Sequence, residues 1–153
     1  MLRISKLTDY GTVILAALAN VPETERLTAS DVAERTRIGL PTVSKLLKSL
    51  QRGALVTSTR GSLGGYQLAR PAKDISAAAI LDALEGKLAL TECSGAHSHC
   101  DIESTCRVGH AWQIVNVAIR RSLEDISLAQ LAGFERVKTR GVEVPLVRMP
   151  RPV

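Results

Sequence analysis

A glycine-rich run, Arg60-Gly61-Ser62-Leu63-Gly64-Gly65, joins two short strand-like stretches, Leu55-Val56-Thr57-Ser58-Thr59 and Tyr66-Gln67-Leu68. Two strands that close together in sequence pair as a hairpin, and glycine allows the backbone angles a tight connection needs. Everything before the hairpin has helical period. Aromatic residues are only 3% of the chain, so the core must be built from Leu, Val, Ile and Ala. That composition favours small packed helices.

Tyr10, Val13, Ile14, Ala17, Leu18 and Val21 recur at helical spacing and predict a first helix over roughly residues 8–20. Thr8 or Asp9 can cap it, and Pro22 follows its end. Thr28-Ala29-Ser30-Asp31 is a capping-box-like start for a second, short helix through Arg35. Arg37-Ile38-Gly39-Leu40 reads as a tight turn. Pro41 then opens a third helix, where its missing N–H costs nothing. Val43, Leu46, Leu47 and Leu50 face inward along it, leaving Thr42, Ser44, Lys45 and Lys48 outside.

Helix, turn, helix and hairpin in this order is the winged-helix arrangement. A short helix with an apolar back and polar tips fits the major groove of duplex DNA. A hairpin carrying Arg60 can reach the backbone or the narrow minor groove, whose potential attracts arginine. The residues expected to meet DNA are Pro41, Thr42, Ser44, Lys45, Lys48, Arg60, Gly61 and Ser62. Lysines there touch phosphate more often than they read bases. The alternative, a solvated helix face and an ordinary turn arginine, is outweighed by their position.

Charge is segregated accordingly. Residues 1–73 carry eleven Lys/Arg against five Asp/Glu, residues 74–133 four against eight, and residues 134–153 five against two. A basic front half suits a polyanion, and the acidic middle belongs away from it. With so few aromatics, single-stranded nucleic acid bound by base stacking is disfavoured as a partner. Three segments are expected: 1–73 a winged helix-turn-helix DNA-binding domain, 74–133 a cluster-binding loop and dimerisation helix, and 134–153 a disordered basic tail.

In the middle segment a fourth helix is expected at about 75–85, from Ile75, Ala79, Ile80, Ala83 and Leu84. A long helix follows at about 107–125, on which Val108, Trp112, Val115, Ile119 and Ile126 approximate a heptad seam, a site for pairing with a second copy. Ser127 caps one more short turn.

Between the two helices lie all three cysteines of the chain, Cys93, Cys100 and Cys106, in a Gly-, His- and acid-rich stretch. Thiolates gathered on one loop are soft ligands suited to zinc or an iron–sulfur cluster. Structural zinc sites usually open on a close Cys-x₂₋₄-Cys pair. Here six and five residues intervene, which weakens zinc. A metal-free thiol switch is the third reading. Asp9 and His110 are candidate fourth ligands. Asp9 also suits helix capping, and His110 shares a face with Cys106 only if both are helical. His97 and His99 are read as solvated. An odd cysteine count without a secretory signal or membrane span places the chain in the reducing cytoplasm.

Over residues 1–133 the sequence resembles the Rrf2-type (IscR/NsrR-like) winged-helix iron–sulfur transcriptional regulators. The matching residues are Lys6-Leu7-Thr8-Asp9-Tyr10, Gly53-Ala54-Leu55-Val56, Arg60-Gly61-Ser62-Leu63-Gly64-Gly65-Tyr66 and the three cysteines. The opening Met1-Leu2-Arg3-Ile4-Ser5-Lys6-Leu7-Thr8-Asp9-Tyr10-Gly11 is most similar to regulators of the SUF iron–sulfur cluster assembly operon. The resemblance implies a homodimeric repressor on a palindromic double-stranded operator, holding a 2Fe-2S or 4Fe-4S cluster through Cys93, Cys100 and Cys106. It departs at one point. IscR-like members place a histidine three residues after the last cysteine, where this chain has Gly109 and only then His110. Members of the NsrR type use an aspartate at the position of Asp9. A small cysteine-loop enzyme is the competing class, but no base–nucleophile pair or phosphate loop accompanies the thiols. A winged helix that binds protein is a further reading that charge alone does not remove.

Overall fold

The computed structural model describes residues 4–61, 63–91, 106 and 108–135. In chain order its elements are α1 (Lys6–Ala19), α2 (Ala29–Thr36), α3 (Leu40–Arg52), β1 (Val56–Thr59), β2 (Gly65–Leu68), a 3₁₀ turn (Ala72–Asp74), α4 (Ala77–Leu84), α5 (Gly109–Glu124) and α6 (Leu128–Leu131). This is a mainly helical winged-helix fold with a two-stranded antiparallel wing, as the hairpin and helix patterns anticipate.

Several helix starts have a local cause. Thr28 and Asp31 form a reciprocal capping box at α2, as their spacing predicts. Helix α1 starts two residues earlier than periodicity suggests. Its cap is Ser5, whose Oγ accepts the Thr8 N–H at 3.2 Å, and not Thr8 or Asp9. Asp9 therefore sits in the first turn. At α3 Gly39 occupies the cap position, Leu40 begins the helix and Pro41 follows. Ile75 lies outside α4, which Ser76 caps by accepting the Ala79 N–H at 3.2 Å.

The core gathers Ile14, Leu15 and Leu18 of α1, Val32 of α2, and Val43, Leu46, Leu47 and Leu50 of α3 around Leu55, Val56, Ile75, Ile80 and Leu128, all essentially buried. All four α3 residues expected to face inward do so. Helix α4 passes close behind the end of α3. A Cβ at Gly53 would lie 2.4 Å from the Ala83 Cβ and 3.2 Å from its Cα, so this crossing requires glycine. The wing pairs Val56 with Leu68 and Thr59 with Gly65. Leu27 adds an isolated bridge to β2, exchanging both backbone hydrogen bonds with Tyr66 at 3.0 and 2.7 Å.

The last helix turns back into this core. The Leu128 N–H donates to the Ile75 carbonyl at 2.7 Å, and the Ala77 N–H to the Ile126 carbonyl at 2.8 Å. Leu128 is completely buried. Helix α5, between the two anchored ends, packs on α4. The Arg120 guanidinium grips both oxygens of Asp82 at 3.2 and 2.9 Å and also pairs with Glu124 at 3.0 Å. These contacts hold the Arg120 guanidinium above its ordinary pKa, the Asp82 hydrogen bond first among them. Asn116 is the one buried residue of α5. Trp112 and Val115 of the expected seam are exposed, and Ile119 is half-buried. Ile114 and Val117, outside that seam, are exposed as well, so the open apolar surface is broader than a heptad stripe.

Candidate nucleic-acid interface and cysteine segment

The outer face of α3 is built by its inner face. With Val43, Leu46, Leu47 and Leu50 locked in the core, the helix register leaves Pro41, Lys45 and Lys48 exposed and Thr42 and Ser44 half-buried. Pro41, Ser44, Lys45, Lys48, Gln51 and Arg52 line one shallow surface depression. Gln51 and Arg52 are additions to the contacts expected from the sequence. Arg52 continues the Lys45 and Lys48 stripe at four residues' spacing, a signal the sequence does contain. Its guanidinium donates to Ser49 Oγ at 3.0 Å.

Gln51 has a different role. Its Nε2 donates to Ser58 Oγ on β1 at 2.9 Å, tying the end of α3 to the wing strand. Arg60 leaves that strand exposed, and Gly61 follows with a φ of 109°, a conformation that favours glycine. Ser62 lies outside the described residues. Arg37, which turns the chain between α2 and α3 with a left-handed φ of 57°, is exposed. The Asp31 carboxyl at the start of α2 is held below its ordinary pKa by the Thr28 hydroxyl and backbone.

Of the five candidate cluster ligands, Cys93 and Cys100 lie outside the described residues. Cys106 is half-buried with a free thiol. Asp9 is exposed in the first turn of α1, and His110 is exposed in the first turn of α5. Because α5 begins at Gly109, Cys106 precedes the helix, and helical register does not put it on a face with His110. Among the described residues no group of three His, Cys, Asp or Glu could hold a metal ion.

The described residues that lead into the cysteine segment are fastened at two points. Where α4 ends, Glu85 reaches the start of α1: its Oε1 accepts the Ser5 N–H at 3.1 Å and the Thr8 hydroxyl. Further on, the Leu90 N–H donates to the Asn116 carboxamide oxygen on α5 at 3.3 Å. The chain thus enters the segment tied to α1, one residue from Asp9, and to the middle of α5.

The Thr8 hydroxyl, followed by Ser5, holds the Glu85 carboxyl below the ordinary glutamate value of 4.5. A carboxylate with a lowered folded pKa stabilises the fold above its unfolded value, and that stabilisation is lost as pH falls through the folded one. Glu85→Gln is therefore expected to lower stability at neutral pH and to flatten the acid limb of the stability curve below about pH 4.5. Urea midpoints at a series of pH values measure this, and parallel curves for the two proteins would show that the latch contributes nothing.

Known proteins share this sequence pattern and fold. The family model Rrf2, described as iron-dependent transcriptional regulator, matches residues 4–133. Protein rrf2 of Nitratidesulfovibrio vulgaris is 31% identical over 130 residues, covering 85% of this chain and 87% of that protein. Among solved structures, the IscR of T. potens superimposes with a TM-score of 0.65 at 28% identity, covering 90% of this chain and 92% of that one. The oxidized form of CymR from Staphylococcus aureus gives 0.62 at 29% identity, covering 90% and 100%. Among the described residues no helix is long and apolar enough to cross a membrane.

Proposed function

The chain belongs to the Rrf2 family of transcriptional regulators, DNA-binding proteins and not enzymes, and from that premise we infer that it is an iron–sulfur-responsive repressor acting as a cytoplasmic homodimer on a palindromic operator. The observation that carries the DNA-reading part is the α3 face. Its polar and basic outer residues are backed by four fully packed aliphatic ones and coupled through Gln51 and Ser58 to the wing.

In this reading α3 lies in the major groove, with Thr42 and Ser44 facing base edges and Lys45 and Lys48 on phosphates. Arg60 extends from the wing toward the minor groove. The exposed apolar surface of α5, with Trp112, Val115 and Ile114, would be covered by a second copy, which sets the spacing of two recognition helices.

The sensing part rests on the donor set. Cys93, Cys100 and Cys106 would hold a 2Fe-2S or 4Fe-4S cluster, and three soft thiolates on one segment fit such a group. A bound cluster supplies a redox-active, oxygen- and nitric-oxide-sensitive centre. Asp9 or His110 would complete the ligands. The Glu85 latch favours Asp9, because it fixes the first turn of α1 beside the entry to the cysteine segment. With a cluster held there, the tie between α1 and the entry to that segment would couple the cysteines to the DNA-reading unit. SUF assembly genes are the proposed targets, from the resemblance of the opening residues. The similarity to an oxidized CymR is comparable to that with IscR and supports a second reading, a thiol-redox regulator without metal.

An absorption spectrum of anaerobically purified protein, with iron, sulfide and zinc quantified on the same sample, separates these readings. Broad visible absorption with stoichiometric iron and sulfide is expected, lost in Cys106→Ser and reshaped in Asp9→Ala but not in His110→Ala. Colourless protein with zinc, or reduced thiols and no metal after attempted reconstitution, would sink the cluster and leave the winged helix standing.

A further inference from the structure

The most exposed large apolar side chain among the described residues is Leu63, 88% accessible, and it stands at the tip of the wing. An isolated surface leucine usually needs no explanation. This one is presented by a built support. The Gly64 N–H donates to the Gly61 carbonyl at 2.9 Å, closing a tight turn with Leu63 at its corner. A Cβ on Gly64 would fall 2.4 Å from the Thr59 carbonyl oxygen and 2.8 Å from that of Gly61. Both obstacles are backbone, so residue 64 must be glycine for the turn to close, and the leucine before it is held outward.

The support continues into the DNA-reading helix. Thr59 pairs with Gly65, β1 with β2, and Ser58 with Gln51 of α3. The Leu63 tip is therefore linked through the wing strands to the helix that carries Lys45 and Lys48, and Arg60 immediately precedes the same turn. An apolar tip near an arginine, continuous with a basic helix face, matches the chemistry of side chains that enter a minor groove. There the arginine takes the negative potential, and an aliphatic wedge packs on sugars and partly unstacks a base step.

We propose that Leu63 is a specificity-determining residue of the wing, an apolar probe inserted into the minor groove beside Arg60 that favours easily unstacked pyrimidine–purine steps. The inference rests on the DNA-binding reading of α3 and the wing, and deepens it. Lys45 and Lys48 supply phosphate affinity, whereas Leu63 adds a contact that carries no charge. Its contribution should not depend on salt, because no counterion is released when an aliphatic group is buried.

The probe is the duplex that the wild-type chain selects from a random-sequence pool, carrying 2-aminopurine at the step flanking the half-site. Leu63→Ala is expected to bind it about tenfold more weakly, with the slope of log affinity against log salt unchanged. Arg60→Ala should flatten that slope by about 0.9. The 2-aminopurine fluorescence should rise on binding wild-type protein or Leu63→Met and stay low with Leu63→Ala. Repeating the selection with Leu63→Ala should lose the preference at that step. Since the side chain is exposed, the thermal midpoint of Leu63→Ala should equal that of wild-type. Equal affinity and an equal selected sequence for Leu63→Ala would overturn the wedge alone. So would an altered oligomeric state with unchanged DNA affinity. A wild-type chain that selects no duplex would overturn the DNA face and the wedge together.

Discussion

Replacing Lys45, Lys48 and Arg60 together by alanine is expected to weaken duplex binding at least about a thousandfold at moderate salt, counting about 1.5 kcal/mol or more for each charge-assisted hydrogen bond to DNA that the variant cannot make. All three side chains are exposed and none contributes to the core, so the variant should fold with an unchanged thermal midpoint. The effect has a second signature that plain misfolding would not give. Each neutralised phosphate releases counterions, so the log–log salt slope should flatten by about 2.7 per bound chain. Fluorescence anisotropy titrations at four or five salt concentrations read both quantities. A triple variant that keeps the wild-type slope would mean that phosphate is met by other cations, with Arg37 and Arg52 the first to test.

The second large effect is expected far from that face. Leu128→Ala should cost about 2–5 kcal/mol, the usual range for deleting a fully buried leucine where neighbours cannot close in. That is a large share of a stability of about 5–15 kcal/mol typical of single domains. Helix α6 has only four residues, far too few to be stable alone. It exists because Ser127 and Gln130 form a reciprocal capping box and because Leu128 joins Ile75 and Ile80 in the core. Urea unfolding of both proteins measures the difference from the shift in midpoint at constant slope. A midpoint shift no larger than that of a surface substitution would contradict the assignment of α6 to the core.

How far the sequence reveals this molecule depends on whether the cause of each feature is local. The capping box at Thr28, the inward stripe of α3 and the hairpin at Gly61–Gly65 are set by residues a few positions apart, and they stand where periodicity puts them. The start of α1 is not local. Ser5, Thr8 and Asp9 can all cap a helix, and the choice falls on Ser5 while Glu85, some eighty residues away, takes the Thr8 hydroxyl. The burial of Leu128 is likewise decided by Ile75, not by any pattern around it. On α5 the heptad reading finds Trp112 and Val115 but passes over Ile114 and Val117, because a seam assumes one partner line and this surface is wider. For the site, residue type and spacing point to thiolate ligation. Choosing the fourth ligand needs the distances between Asp9, His110 and the cysteines, which no one-dimensional pattern holds.

The bridge between residues 75–77 and 126–128 has an evolutionary consequence. The protein closes its core on both sides of the cysteine segment: α4 enters it, and α5 with α6 returns from it to the same hydrophobic interior. Two anchored ends of this kind tolerate changes in the length and lettering of the chain between them, since doubling the length of a connection adds only about 0.6 kcal/mol of closure entropy. Residues of that segment can therefore be exchanged by mutation while the helix-turn-helix and wing stay the same. Descendants of one such scaffold could diverge in what they detect long before they diverge in how they grip a double helix.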